Sequence, residues 1–174
     1  MRGKQPAENR PAPNVSRGLA LCAIKAASLL ILGCSAPAAS GESEKLLEAS
    51  FRHLFTHNAS ALQQAAPVFC VGLGAGSHLA NPPPVVITAL QDVEPDVRPA
   101  SDCGHSDIAY EISSGKRAVI FHVSDIDCQR GDRCSFMGGY YEANLSASRS
   151  GYLAVRQGGE WAVSLDPDVP SAIS

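Results

Sequence analysis

The chain has 174 residues, of which 45% are hydrophobic, 18% charged and 6% aromatic. That supports one ordinary domain and not two large ones. A mean hydropathy of −0.01 excludes a multi-span membrane protein and a highly charged disordered chain alike. Five of the fourteen Lys and Arg and one of the seventeen Asp and Glu lie in residues 1–33, so the remainder carries nine bases, sixteen acids and a formal charge of −7. A body that acidic repels a phosphate backbone, which excludes nucleic acid as the expected partner.

Residues 1–17 are polar and basic. Residues 18–33 (GLALCAIKAASLLILG) are apolar except for Lys25, and small residues follow in CSAPAASGES. This order is that of a secretory signal over 1–33. The apolar run is short for a span of the hydrocarbon core. An uncleaved anchor helix is the alternative. Ile31-Leu32-Gly33-Cys34 resembles the bacterial lipobox, although that family more often carries Leu where Ile31 stands and Ala or Ser where Leu32 stands. The resemblance implies diacylglyceryl transfer to Cys34, cleavage after Gly33 and acylation of the new amino terminus. The protein would then be exported and held to the membrane by lipid at Cys34, and several acyl chains are what stable anchoring requires. Ser35, not being Asp, implies the outer membrane, facing the periplasm, in a Gram-negative host.

Residues 34–43, the lipidated Cys and a run of small residues, read as a flexible tether. A single domain is expected over 44–170. Residues 44–66 have helical periodicity, with Leu47, Phe51, Leu54, Phe55 and Leu62 near one face. Ser43 is the expected N-cap, Asn58 an alternative cap for a second helix, and Pro67 the terminator. Val68–Leu73 reads as a strand and 74–84 as loop. Residues 85–91, after three prolines, lean to a short helix, and 92–106 read as loop. From 107 the period becomes two. Strands are expected at 117–123, 140–147, 151–156 and 160–165, with Gly158-Gly159 as a hairpin turn and Trp161, Val163 and Leu165 pointing inward. The expected fold is therefore α+β: an N-terminal helix or helix pair packed on an antiparallel, mostly meander sheet of about four strands. The layout, with its closing hairpin YLAVRQGGEWAV, resembles the cone-shaped domains of the NTF2-like or cystatin-like kind. That resemblance implies a concave sheet face able to hold a ligand.

Once Cys22 is removed with the signal and Cys34 is lipidated, Cys70, Cys103, Cys128 and Cys134 remain. An even number in an exported domain reads as disulfides, with three possible pairings. Cys128–Cys134, which brackets the polar turn QRGDR, and Cys70–Cys103 are the preferred set. A zinc site from Cys103, His105, His122 and the Cys128/Cys134 pair is the competing reading, but the spacing fits no zinc-finger pattern, so no metal is expected.

Other patterns weigh less. Gly72-Leu73-Gly74-Ala75-Gly76 lacks the rest of a phosphate loop. Asp125, Asp127 and Asp132 have no EF-hand register. Arg130-Gly131-Asp132 is a common tripeptide. His53 and His57 stand i, i+4 without the Glu of a zinc-protease helix, and no Ser, His and Asp set is placed by spacing. No catalytic residue and no cofactor is assigned. The leading expectation is a non-catalytic envelope protein that binds an envelope protein or other component. The alternative is a small-molecule or metal-binding module using the sheet's concave face, with His122, Tyr140 and Tyr152 lining it. A hydrolase with an unrecognised site comes third. A cavity of several hundred Å³ at those residues favours the second reading, and a filled helix–sheet interface favours the first.

Overall fold

The structure is a computed structural model that describes residues 38–57 and 65–173. The expected signal segment, Cys34, the Asn58 cap and Leu62 lie outside the described residues. The first helix, α1 (Ala38–His57), is followed by strand β1 (Val68–Leu73), helix α2 (Pro84–Ala89) and strand β2 (Asp96–Pro99). A short ribbon comes next, β3 (Cys103–His105) with β4 (Ala109–Glu111). Then come β5 (Ala118–Arg130), β6 (Arg133–Ala143), β7 (Ser146–Gln157), β8 (Glu160–Leu165) and β9 (Ala172–Ile173). The α+β class is observed, but the sheet is larger and differently wired than an antiparallel meander of about four strands. Among the described residues, seven strands make one sheet in the order β2-β1-β5-β6-β7-β8, with β9 also pairing β7.

The antiparallel expectation holds from β5 to β9 and fails at β1 and β2. Both β2 and β5 run parallel to β1. The reason lies in β1 itself. Its residues VFCVGL are buried on both faces except at Leu73, as suits a strand inside a parallel sheet covered on both sides. The chain reaches β2 by a crossover through α2, the connection a parallel pair needs. Strand β2 lies in the stretch 92–106 that composition marks as loop, because its four residues DVRP bury only Val97 and offer no readable alternation.

Helix α1 also begins earlier than the caps suggest. It starts at Ala38, so Ser43 lies within it and residues 38–43 are helix rather than tether. Extending a helix whose later turns are packed takes far less free energy than starting one, and Ala38 and Ala39 are of the best helix-forming type. Leu46, Leu47, Phe51 and Leu54 are buried against the sheet. Arg52 ties α1 to the α2 region by donating to the Ala89 carbonyl and to Asp92, both at 2.7 Å.

The main core fills the space between α1 and the sheet. Val119, Phe121 and Val123 of β5 face the helix, together with Phe69 and Val71 of β1. Phe55, Phe69 and Phe121 form an aromatic triad with centroids 4.9–5.1 Å apart. Phe136 and Tyr152 stack at 5.3 Å in the same layer. Trp161 and Val163 pack against this core, and Leu165, on the same face of β8 and in register with Tyr152, is 52% exposed. Where one strand is expected over 140–147, a turn at Asn144-Leu145 separates β6 from β7. Gly158 and Gly159 both have positive φ (62° and 94°), as the β7–β8 hairpin turn demands.

The opposite face of the sheet carries a second, smaller core of Val68, Cys70, Ala109, Ala118 and Ile120. The β3–β4 ribbon covers it and is fastened by the Cys70–Cys103 disulfide, with Cα atoms 6.5 Å apart. The Cys128–Cys134 disulfide crosses the β5–β6 hairpin beside its turn, with Cα atoms 4.1 Å apart. Both preferred pairings are thus the ones observed. No helix among the described residues is long and apolar enough to cross a membrane.

Candidate functional site

Strand alternation turns residues 119, 121 and 123 toward α1 and residues 120 and 122 the other way. The ribbon covers only part of that second face. Where the cover ends, a cleft of about 470 Å³ opens. Ile120 and His122 of β5 line it, with Tyr141 of β6 and Ala147 and Arg149 of β7. Ala75, Gly76, Ser77 and Leu79 form one rim together with His105, and β9 supplies Ala172 and Ile173 on another. Such a volume lies within the range of small-molecule sites.

Register explains why the cleft forms here. Across β1, β5, β6 and β7, one row of partners reads Gly72, His122, Gly139, Arg149. Two long polar side chains thus share a row with glycines on either side of His122. A side chain at Gly139 would drive its Cβ into the Ser148 carbonyl and to 2.8 Å from His122 Cε1. A Cβ at Gly72 would sit 2.8 Å from Leu79 Cβ. The two glycines thus let Leu79 and the His122 ring lie close against the sheet backbone beside the cleft.

The polar groups of the cleft are held in different ways. Arg149 Nη2 donates to Asp125 Oδ2 at 2.7 Å and to Ser124 Oγ at 3.3 Å, so the guanidinium reaches over β6 to β5. Asp125 itself sits at a break in the β5–β6 register, with φ 53°. Bulges of this kind re-aim a side chain, and left-handed non-glycine residues cluster at functional sites. Burial is the main cause that pushes the His122 pKa below its usual value, and the Arg149 charge adds to it. His122 is accordingly a neutral imidazole near pH 7. Tyr141 is fixed by its hydroxyl, which donates to the Ser106 carbonyl at 2.6 Å, and its ring meets His105 edge-on at 5.7 Å.

Of the three residues expected to line a ligand site, the structure brings two together. His122 and Tyr140 both border the cleft, and Tyr140 is also counted in the main core. Tyr152 does not join them. It pairs in register with Phe136 and stacks on it in the helix-facing core, where His53 meets it edge-on at 5.5 Å. The centre of the helix–sheet interface is filled by this core, a groove of about 500 Å³ with a more polar lining runs along its edge between α1 and β8, and the mostly apolar cleft over His122 lies on the other face.

The remaining sequence patterns are dispersed. Cys103 is in a disulfide, away from any zinc role with His105 and His122. His53 and His57 stack at 4.0 Å on α1, and burial, with the neighbouring His57, lowers the His53 pKa to about 4. Among the described residues no three His, Cys, Asp or Glu side chains are grouped to hold a metal. Asp125 is taken up by Arg149, and Gly131-Asp132 forms the turn at the disulfide-bridged hairpin tip. Gly72–Gly76 ends β1 and begins the rim of the cleft.

Arg149 and Gly139 have no motif around them, and Gly72 stands out only as the first glycine of the incomplete phosphate-loop pattern 72–76. A glycine within a period-two pattern is the one signal that marks a close backbone approach. It stands at Gly138-Gly139, but its meaning depends on which residue lies opposite. Comparison with protein-family models, with curated proteins and with solved structures found no match to this chain. The fold and the cleft define the class: a two-disulfide α+β domain whose mixed sheet carries a helix on one face and an open cleft on the other.

Proposed function

We propose that this protein is an exported binding module that receives a small molecule in the cleft over His122, and that lipid on Cys34 holds it to a cell-envelope membrane. The cleft carries the first half of this reading. It combines a mostly apolar lining of Leu79, Ile120, Ala147 and Ile173 with a few convergent polar groups from separate strands, the composition of a small-molecule site. Two disulfides in so small a domain fit an oxidising compartment. The lipid anchor rests on the likeness of Ile31-Leu32-Gly33-Cys34 to a lipobox. Small-molecule binding is favoured over an envelope-protein partner because the cleft is a built hollow rather than a flat patch.

Titration with the neutral fluorophore N-phenyl-1-naphthylamine tests the cleft. The full chain is expected to show one saturable site with a blue-shifted emission. Ala147→Trp, which fills the cleft from its half-buried β7 wall, is expected to abolish that site while circular dichroism and cooperative unfolding stay unchanged. Non-saturable binding, or the same site in the folded variant, would refute the reading.

A further inference from the structure

We infer that the cleft selects an amphipathic carboxylate, a compact apolar body bearing one anionic head, with Arg149 as the residue that receives the head. The inference rests on the cleft being a binding site and names the class of its ligand.

The charge distribution argues for an anion. Arg149 is the only permanently charged side chain lining the cleft among the described residues, and no Asp or Glu lines it. Two further side chains lining it, His122 and His105, each supply one N–H donor when neutral, while the Tyr141 hydroxyl is already committed to the Ser106 carbonyl. Asp125, the partner of Arg149, lies outside the lining. It occupies Nη2, which fixes the guanidinium. Nη1 makes no hydrogen bond with a described residue, and 42% of the Arg149 side chain remains exposed. A guanidinium has five N–H donors in a rigid fork, so one carboxylate can hold it in place while a second is received.

The apolar half of the ligand follows from what faces the charge. Ile120 forms the floor beside His122, Ala147 lies two residues before Arg149 on β7, and Leu79 and Ile173 stand on the rims. A purely polar anion would leave these surfaces wet, and a purely apolar ligand would bury the donors of His122 and Arg149 without acceptors, at the cost of their hydration. A molecule with both parts satisfies the whole lining. Gly139 lies between His122 and Arg149 in the row, and a Cβ there would meet the Ser148 carbonyl and the His122 ring.

Displacement of bound N-phenyl-1-naphthylamine at pH 8 by octanoate, 1-octanol and octylamine tests the class. Octanoate is expected to displace at a concentration roughly tenfold or more below 1-octanol, the margin of one charge-assisted hydrogen bond, with octylamine weakest. Arg149→Met is expected to bring octanoate to the level of 1-octanol while leaving 1-octanol within about twofold, and Arg149→Lys to keep part of the preference. Equal displacement by acid and alcohol in the wild type, a preference for the amine, or an acid preference that survives Arg149→Met in a folded variant would overturn the inference while the cleft remains a site. Failure of all three compounds to displace would overturn the inference together with the cleft reading. The wild-type comparison decides the matter even if Arg149→Met does not fold.

Discussion

At the scale of single residues, the two glycines that flank His122 have more consequence than the histidine's own neighbours in sequence. His122 sits in an alternating run, Val119 to Val123, and nothing in that run tells a half-buried structural imidazole from one that faces a ligand. The distinction comes from Gly72 on one side and Gly139 on the other. Gly139 has the tighter surroundings, with the Ser148 carbonyl and the His122 ring both inside the space a methyl group would need. Backbone cannot yield as a flexible side chain can. Gly139→Ala is therefore expected to destabilise the fold by about 1–3 kcal/mol, the usual range for an overpacked core, read as a lower midpoint in urea. Gly76→Ala serves as a comparison, since a Cβ there meets nothing within 4 Å, although its φ of 71° adds local strain. An unchanged midpoint for Gly139→Ala would mean that the β6 and β7 backbones separate without loss, and that the His122 seat is not tight.

At the scale of elements, the long β5–β6–β7 ribbon does most to organise the molecule, and the two disulfides act on different parts of it. Cys128–Cys134 closes a loop of sequence separation 6, whose strands already meet through a tight turn. Cys70–Cys103 closes a loop of separation 33 that contains α2 and β2 and pins the ribbon over the second core. Constraint of the unfolded chain grows with loop length, giving about 2 kcal/mol for the short loop and about 4 kcal/mol for the long one. The Cys128→Ser/Cys134→Ser pair is therefore expected to lower the unfolding free energy by less than Cys70→Ser/Cys103→Ser. Chemical denaturation of the two double variants checks the order, and the reverse order would show that hairpin geometry outweighs loop length. Cys70 and Cys134 are both buried, so a serine hydroxyl adds a desolvation penalty in either double variant and loop length remains the difference.

The break in β5 at Asp125 works at this scale too. A regular strand would alternate its side chains through 125–127. The irregular register instead places Asp125 where it meets Arg149 from β7. A charge held across three strands is a device for position rather than for stability, since partly exposed ion pairs of this kind contribute little.

At the scale of the whole molecule, the mixed sheet separates two tasks. One face is closed by α1 and a continuous aromatic and aliphatic core. The other is only partly covered, and the open part faces a small molecule in the proposed reading. The anchor belongs to this scale because it sets where the cleft operates. Cys34→Ala is expected to abolish incorporation of a fatty-acid probe and to release the protein from the membrane fraction. Continued labelling would remove the anchor from the proposal and leave the cleft untouched.

Part of this architecture was legible in residue order and part was not. The helix over Leu47, Phe51 and Leu54, the Val68–Leu73 strand, the short helix after the prolines and the Gly158-Gly159 hairpin follow from local periodicity and turn chemistry, which act over a few residues. The cysteine pairing was readable as a preference because a polar turn brackets one pair and leaves the other two to meet. Tyr152, a possible lining residue only in the alternative reading, belongs to the core, and a tyrosine in an alternating strand reads alike on either face. Strand β2 passed as loop, and the parallel wiring of β1 was hidden, because pairing between strands far apart in sequence leaves no mark on either of them. Length, charge and periodicity by themselves determined an acidic α+β domain with paired cysteines. Which face of the sheet stayed open, and that His122 and Arg149 would share a row across four strands, only the tertiary structure decided, since register is a property of strands brought together and not of any one of them.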